Sequence, residues 1–160
     1  MRDVVNVKTN FMSDLIQTRV QNDRIEALKA KNSRRSTAIS LILAAFKQQE
    51  VDTRQALDEQ KILAIFDKML KERRQSVAQY ETAGRQDLAD QERFEIDLIS
   101  SYLPSQLSEP ELDQLIKNTI SSLQASSIKD MAKVIATLKP QVQGRADMAL
   151  MSKKVKDALL

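Results

Sequence analysis

The chain has 160 residues with no cysteine and no histidine, and its 25 Lys and Arg against 22 Asp and Glu give a formal net charge of +3. The missing thiols and imidazoles exclude disulfides, zinc sites built on Cys or His, a thiol nucleophile and a histidine base. Only two Gly and three Pro interrupt a sequence rich in Leu, Ala, Gln, Lys, Glu and Arg, which favour helices. The composition therefore predicts an all-α protein.

The first eleven residues, MRDVVNVKTNF, include Asp3 and no apolar run, so we expect no secretory signal peptide. No stretch approaches the roughly 20 consecutive apolar residues that a membrane-spanning helix requires. We therefore expect a soluble protein with no membrane partner and a cytoplasmic location.

A polar turn separates the first two predicted helices. The first runs from about Asp14 to Ala30, and Asn32 or Ser33 can cap the second because their side-chain oxygens accept unpaired first-turn amides. The i, i+3, i+4, i+7 spacing of apolar residues gives each helix one face for the core. The expected core residues are Leu15, Ile25 and Leu28, then Ala38, Leu41, Ile42, Ala45 and Phe46.

A third helix is predicted to open at Asp58 and to end at Gly84, and Asp87 is predicted to cap a fourth. The middle of the fourth helix is polar around Gln91 and Glu95, so we expect that part to stand clear of the core. The apolar stripes are Ile62, Ile65, Phe66, Met69, Leu70, Val77 and Tyr80, then Leu88, Leu98, Ile99 and Tyr102.

The segment YLPSQLSEPEL marks a boundary, because Pro104 and Pro110 fall between two long periodic stretches. Ser108 and Glu111 have the spacing of a capping box for a fifth helix. Two further helices are predicted after it. Ser127 opens the sixth, Pro140 and Gly144 break it, and Asp147 caps the last.

The acidic and hydroxyl side chains offer no catalytic arrangement. Glu92 and Glu95 alternate with Lys and Arg on predicted outer faces, which is typical of a solvated, salt-bridged surface. Ser126 and Ser127 have only Lys129 nearby as an activating base, and helix capping explains them more simply. Neither glycine-rich phosphate motif is present. We predict no catalytic residue, no cofactor-binding residue and no metal ligand.

Basic residues are distributed unevenly along the chain. They cluster at the first helical hairpin, on one turn of the third helix, and most strongly after Ile128. A solvated basic face explains many such stretches, whereas phosphate binding is the alternative. The first two clusters are Lys29, Lys31, Arg34 and Arg35, then Lys71, Arg73 and Arg74. The candidate nucleic-acid-binding residues are Lys129, Lys133, Lys139, Arg145, Lys153 and Lys154.

Four segments carry a resemblance to a known family. In chain order they are KAKNSRRSTAISLILAAFKQQEVD, QYETAGRQDLADQE, YLPSQLSEPEL and SSIKDMAKVIATLKPQVQGRADM. From about Met12 onward the chain resembles the GatB/YqeY family, in its free-standing YqeY-like form. The motif positions are Gly84–Arg85 (AGR), Tyr102–Pro104 (YLP), Lys129–Lys133 and Gly144–Asp147 (GRAD). Ala132 and Met148 stand where the family usually has glycine.

This resemblance implies a domain arrangement: two small three-helix bundles joined by a partly helical linker. Residues 1–11 would be an N-terminal extension. Residues 12–103 would be a helical domain with a long linker helix, and residues 104–160 a three-helix tail.

The resemblance also implies a function. The same module forms the C-terminal part of the B subunit of aspartyl/glutamyl-tRNA amidotransferase, where its tail helps hold the tRNA. The implied partners are tRNA or another structured RNA, and aminoacyl-tRNA synthetase or amidotransferase components. Two alternatives stay open. One is an RNA-independent protein-interaction factor, and the other is a carbon–nitrogen ligase with glutamine as amido-N-donor, by family label only.

Overall fold

The computed structural model describes the backbone of residues 2–160 and the side chains of residues 14–160. Across this part of the chain the regular structure is helical and contains no β-strand, which confirms the predicted all-α class. No helix among the described residues is both long and apolar enough to cross a membrane. The helices are α1 Arg2–Lys29, α2 Ser33–Thr53, α3 Glu59–Thr82, α4 Gln86–Ser100, α5 Glu109–Leu123, a 3-10 turn Ile128–Asp130, α6 Met131–Val142 and α7 Met148–Leu159.

The chain divides into two compact units, Met1–Tyr102 and Leu103–Leu160. We call them the N-terminal unit, which contains α1 to α4, and the C-terminal unit, which contains α5 to α7. The prediction of two three-helix bundles with domains at 12–103 and 104–160 stays a prediction. The predicted extension, residues 1–11, has its side chains outside the described residues.

Phe66 lies at the centre of the N-terminal core and is fully buried. Its ring meets Phe46 of α2 edge-on, with centroids 5.6 Å apart, and stacks on Tyr102 at 6.3 Å. The Tyr102 hydroxyl donates a 2.6 Å hydrogen bond to Asp23 Oδ2 of α1. The guanidinium of Arg19 covers the Tyr102 ring at 5.0 Å. Tyr102 thus joins the end of α4 to both α1 and α3.

The core faces of α1 and α2 differ from the sequence prediction. Leu15, Ile25 and Leu28 are 48%, 48% and 52% exposed, and Leu41 is 44% exposed. In α1 the buried side instead carries Val20 and Ala27, and in α2 the fully buried Ile39 joins Ala38, Ile42 and Phe46. These helices have apolar residues on two faces, and the face with smaller side chains on α1 is the one that packs.

Helix α4 begins and packs differently from the prediction. Its N-cap position is Arg85, and Asp87 lies inside the first turn, where its two carboxylate oxygens accept from Arg85 at 3.0 and 3.1 Å. The polar middle of α4 packs along α3 instead of standing clear. Glu95 accepts a 2.8 Å hydrogen bond from Arg73 Nε, and both side chains are only 13% exposed. A half-buried ion pair therefore replaces apolar contacts there.

The C-terminal unit has its own apolar core, formed by α5, α6 and α7. Pro140 does not break α6, which continues to Val142, and Gly144 then turns the chain with φ +77°. The predicted caps Asn32, Asp58, Ser108 with Glu111, and Asp147 are confirmed. Ser127, which was predicted to open the sixth helix, instead precedes the 3-10 turn, and α6 begins at Met131. The fully or nearly fully buried core residues are Leu112, Ile116, Val134, Leu138, Val142, Met151, Val155 and Leu159.

The segment between α4 and α5 is hydrogen-bonded to the turn between α6 and α7. Arg145 Nε donates to Ser105 O at 3.1 Å, and Leu107 N donates to Arg145 O at 2.8 Å. Gln106 Nε2 donates to Gly144 O at 2.8 Å. Residues 105–107 are therefore fixed to the C-terminal unit, and Pro104 is exposed.

Replacing Tyr102 by Phe keeps the ring on Phe66 and removes only the hydroxyl. We expect a loss of about 1.5–3 kcal/mol in the free energy of unfolding, because the hydroxyl donates to a carboxylate. Urea denaturation measures it. The matched control is Tyr80→Phe, since the half-buried Tyr80 hydroxyl has no hydrogen bond among the described residues. Equal effects of the two substitutions would contradict the role given to Tyr102.

Limited proteolysis tests the division into domains. We expect proteinase K to cut first within Pro104–Ser108, since this is the longest non-helical connection among the described residues. Two helical fragments should result. Arg145→Ala should speed this cut several-fold, because it releases Ser105. First cuts inside Ile62–Tyr80 would show that the domain division is wrong.

Candidate functional site

Four of the six predicted nucleic-acid-binding residues are exposed lysines of the C-terminal unit. Lys129 lies in the 3-10 turn, Lys133 and Lys139 on α6, and Lys153 on α7. Among residues with described side chains, none of the four has a carboxylate within 4 Å. Lys133 and Lys139 are six residues apart and so point about 120° away from each other around α6. We call these residues the four open lysines.

Arg145, the fifth candidate, is held by the fold. Its Nε donates to Ser105 O, and its backbone carbonyl accepts from Leu107 N. The side chain is half-buried. Arg145 therefore fixes the segment that precedes α5, and replacing it would disturb the fold as well as any ligand contact.

Lys154, the sixth candidate, is held in an ion pair between α7 and α5. Its Nζ donates to Asp113 Oδ1 at 2.7 Å and lies 3.9 Å from Glu109 Oε2. The hydrogen bond to Asp113 raises the pKa of Lys154 above its usual value. Its charge is thus already compensated, and a phosphate would have to compete with two carboxylates.

Three of the six carboxylate side chains of the C-terminal unit serve as helix caps. Asp130 accepts from the backbone N–H groups of Ser126 and Ser127 at 2.9 and 3.3 Å, which lowers its pKa. Glu111 accepts from the Ser108 N–H and hydroxyl, which lowers its pKa too. Asp147 caps α7 by accepting from two amides. Negative charge at helix N-termini is offset in part by the unpaired amides there, and the charge of Lys133 also contributes to the low pKa of Asp130.

Ser126 and Ser127 take part in capping, as expected from the sequence. Ser127 precedes the 3-10 turn in a capping box with Asp130. Among the described residues, no group of His, Cys, Asp and Glu has the arrangement of a metal site.

The predicted solvated surface around Glu92 and Glu95 is wrong. Both residues are half-buried between α3 and α4. Burial, and then the charge of Glu95, raise the pKa of Glu92, while Arg73 opposes this rise. These carboxylates belong to a packed interface.

Some residues of the two N-terminal basic clusters also have partners within the N-terminal unit. The Arg34 guanidinium lies 4.2 Å from the centre of the Phe94 ring, and its Nε donates to Gln91 Oε1 at 2.9 Å. Arg73 is paired with Glu95. By contrast, Lys71 and Arg74 are exposed on α3. Sequence reasoning missed these pairings because the partners lie 22 or more residues away along the chain.

Comparison with known proteins gives one family and several relatives. Residues 17–159 match the family described as Yqey-like protein. The chain is 31% identical over 72% of its length to "Altered inheritance of mitochondria protein 41, mitochondrial" of Lachancea thermotolerans, covering 66% of that protein. It is 23% identical over 94% of its length to the Pyrenophora tritici-repentis protein of the same name, covering 84% of it. It is 31% identical over 62% of its length to the Candida glabrata protein of the same name, covering 56% of that protein.

One earlier expectation changes with this comparison. The predicted cytoplasmic location is wrong, because the relatives are named as mitochondrial proteins. The composition and the short apolar runs behind that prediction do not distinguish the two compartments. The chain also spans slightly less than two thirds of the Lachancea protein and just over half of the Candida protein.

The matched region includes the turns, caps and cores of both units. The likeness to the amidotransferase B subunit stays a prediction, since the match concerns the YqeY-like part of the resemblance. Because residues 17–159 of this 160-residue chain match, the chain belongs to the YqeY-like protein family.

Proposed function

We propose that this protein is a non-catalytic binding module for tRNA or another structured RNA, and that its C-terminal unit contacts RNA phosphates. The observation that supports this most is the asymmetry of charge in that unit. Five of its six carboxylate side chains cap helices or pair with Lys154, and the sixth, Asp157, is exposed on α7, while the four open lysines have no ion pair among the described residues. The uncompensated charge there is therefore positive.

Lysine favours phosphate contact over base reading. Its ammonium is a compact point charge without the planar fork that arginine uses to read a guanine edge. Aromatic residues make up 4% of the chain, and the C-terminal unit has none, so stacking on unpaired bases contributes little. The open lysines belong to three different elements, which suits the backbone of a folded RNA.

The setting of this function is also part of the proposal. The relatives' names indicate mitochondria, and we extend that location to this chain. Association with amidotransferase or aminoacyl-tRNA synthetase components is proposed from the family resemblance. The RNA-independent protein-interaction factor is the competing outcome of the experiment below.

Lys133→Glu combined with Lys153→Glu should weaken tRNA binding at least about tenfold at moderate salt. Each reversal replaces attraction to a phosphate by repulsion, and neutralising a phosphate releases counterions. The slope of log affinity against log salt concentration should also become shallower by roughly 0.7–0.9 for each phosphate that is no longer neutralised. Filter binding with a tRNA transcript over a salt series measures both. Arg145 is left intact because it also holds the fold.

The matched control is Lys71→Glu combined with Arg74→Glu, which makes the same charge change at exposed positions of α3. This control should retain most of the binding, and both double variants should keep the wild-type melting temperature. Equal affinity of the wild type and the Lys133/Lys153 variant would reject the RNA-contacting C-terminal unit and favour the protein-interaction factor.

A further inference from the structure

A chain of hydrogen bonds joins α4 to α2 and α3 in the N-terminal unit. Arg73 Nε of α3 donates to Glu95 Oε2 at 2.8 Å, and Gln91 Nε2 donates to Glu95 Oε1 at 3.2 Å. Arg34 Nε of α2 donates to Gln91 Oε1 at 2.9 Å. We call these four side chains the α4 network. They hold the polar middle of α4 against the other two helices.

Glu92 lies beside the α4 network but takes no part in it. Its side chain is half-buried and has no hydrogen bond or ion pair with any described residue. Glu95, three residues later and on the same side of α4, is paired with Arg73, and both side chains are only 13% exposed. Glu92 is therefore a half-buried carboxylate, and the arginine that acts on it from α3 already has another partner.

The charged groups around Glu92 belong to three helices. Arg73 lies on α3 and Glu95 on α4 itself, and the charged residue that α2 places on this part of α4 is Arg34. The Arg34 guanidinium is held over the Phe94 ring, 4.2 Å from its centre. Burial, and then the negative charge of Glu95, raise the pKa of Glu92 above its ordinary value of 4.5, while Arg73 opposes this rise. The folded unit thus favours the protonated form of Glu92.

We propose that Glu92 is a pH-sensitive control on the packing of α4 against α3, which protonation tightens and ionisation loosens. An ionised carboxylate that leaves water without a partner opposes packing, whereas a protonated one costs much less to bury. The unfolded chain leaves Glu92 solvated, so the folded unit binds this proton more tightly than the unfolded chain does. The destabilisation is therefore fully present above the folded-state pKa of Glu92, and it disappears as the pH falls through that pKa towards 4.5.

Glu92→Gln tests this control, because glutamine has nearly the same shape and cannot ionise. Urea denaturation followed by tyrosine fluorescence reports on the N-terminal unit, since both tyrosines of the chain, Tyr80 and Tyr102, lie in it. At about pH 7.5 the unfolding equilibrium constant of the variant should be at least about threefold smaller than that of the wild type. The difference should disappear as the pH is lowered to about 4.5.

Two other variants of α4 serve as controls. Asp97→Asn removes the same charge from an exposed position, and we expect no pH-dependent difference from the wild type. Glu95→Gln should instead destabilise the N-terminal unit at about pH 7.5, because Arg73 loses its charged partner. A Glu92→Gln variant that is no more stable than the wild type at about pH 7.5, or equally more stable at both pH values, would overturn the proposal. So would an equal gain in Asp97→Asn, because a general relief of negative charge would then explain the effect.

Discussion

The N-terminal unit depends on how one partly polar side chain is buried. Tyr102 places its ring against Phe66 at the centre of the core, and its hydroxyl must then find an acceptor, because an unpaired buried hydroxyl costs about 1–3 kcal/mol. Asp23 of α1 is that acceptor, and Arg35 lies 3.9 Å from the same carboxylate oxygen. Burial and the Asp23 hydrogen bond both raise the pKa of Tyr102, so the hydroxyl stays a donor at physiological pH. This hydrogen bond, together with that from Arg19 to the Ser101 carbonyl, fixes the chain at the end of α4 to α1.

The basic residues also fall into two groups, according to whether the fold already provides each one with a partner. Arg34, Arg73, Arg145 and Lys154 each contact an acceptor or a ring elsewhere in their own unit, which fixes helices or turns. To bind a phosphate, such a residue would have to exchange an existing partner for a new one, so the gain would be small. An exposed lysine without such a partner gives up only bound water when it binds a phosphate. The strength of a basic patch therefore depends on which cations the fold has already compensated, and a count of Lys and Arg along the sequence overestimates it.

The sequence predicted helix starts best, because a helix cap depends on residues that lie within about one helical turn of each other. The caps at Asn32, Asp58, Ser108 and Asp147 need only a side-chain oxygen and the next helical turn, so their spacing is sufficient evidence. The helical class follows from propensity summed over long segments. Some errors arose where the structure depends on distant partners, whereas Asp87 and Pro140 show that a local signal can also mislead. Which face of α2 is buried, and so whether Leu41 is exposed, depends on the helices that pack against α2. The roles of Arg145 and Lys154 depend on Ser105 and Asp113, which lie 40 and 41 positions away along the chain.

The motifs that carry the family resemblance turn out to act largely within the fold. Gly84 takes φ +70°, a conformation that favours glycine, and the space around it is open, so backbone geometry explains the AGR turn. In the GRAD segment, Gly144 turns the chain, Arg145 holds the segment before α5, and Asp147 caps α7. The two departures fit the same interpretation, because Ala132 is exposed on α6 and Met148 packs against the C-terminal core. Because these residues have roles within the fold, their presence says little about the ligand. Exposed side chains without an ion pair among the described residues, such as Lys139 and Lys153, can contact a ligand without giving up a partner within the fold.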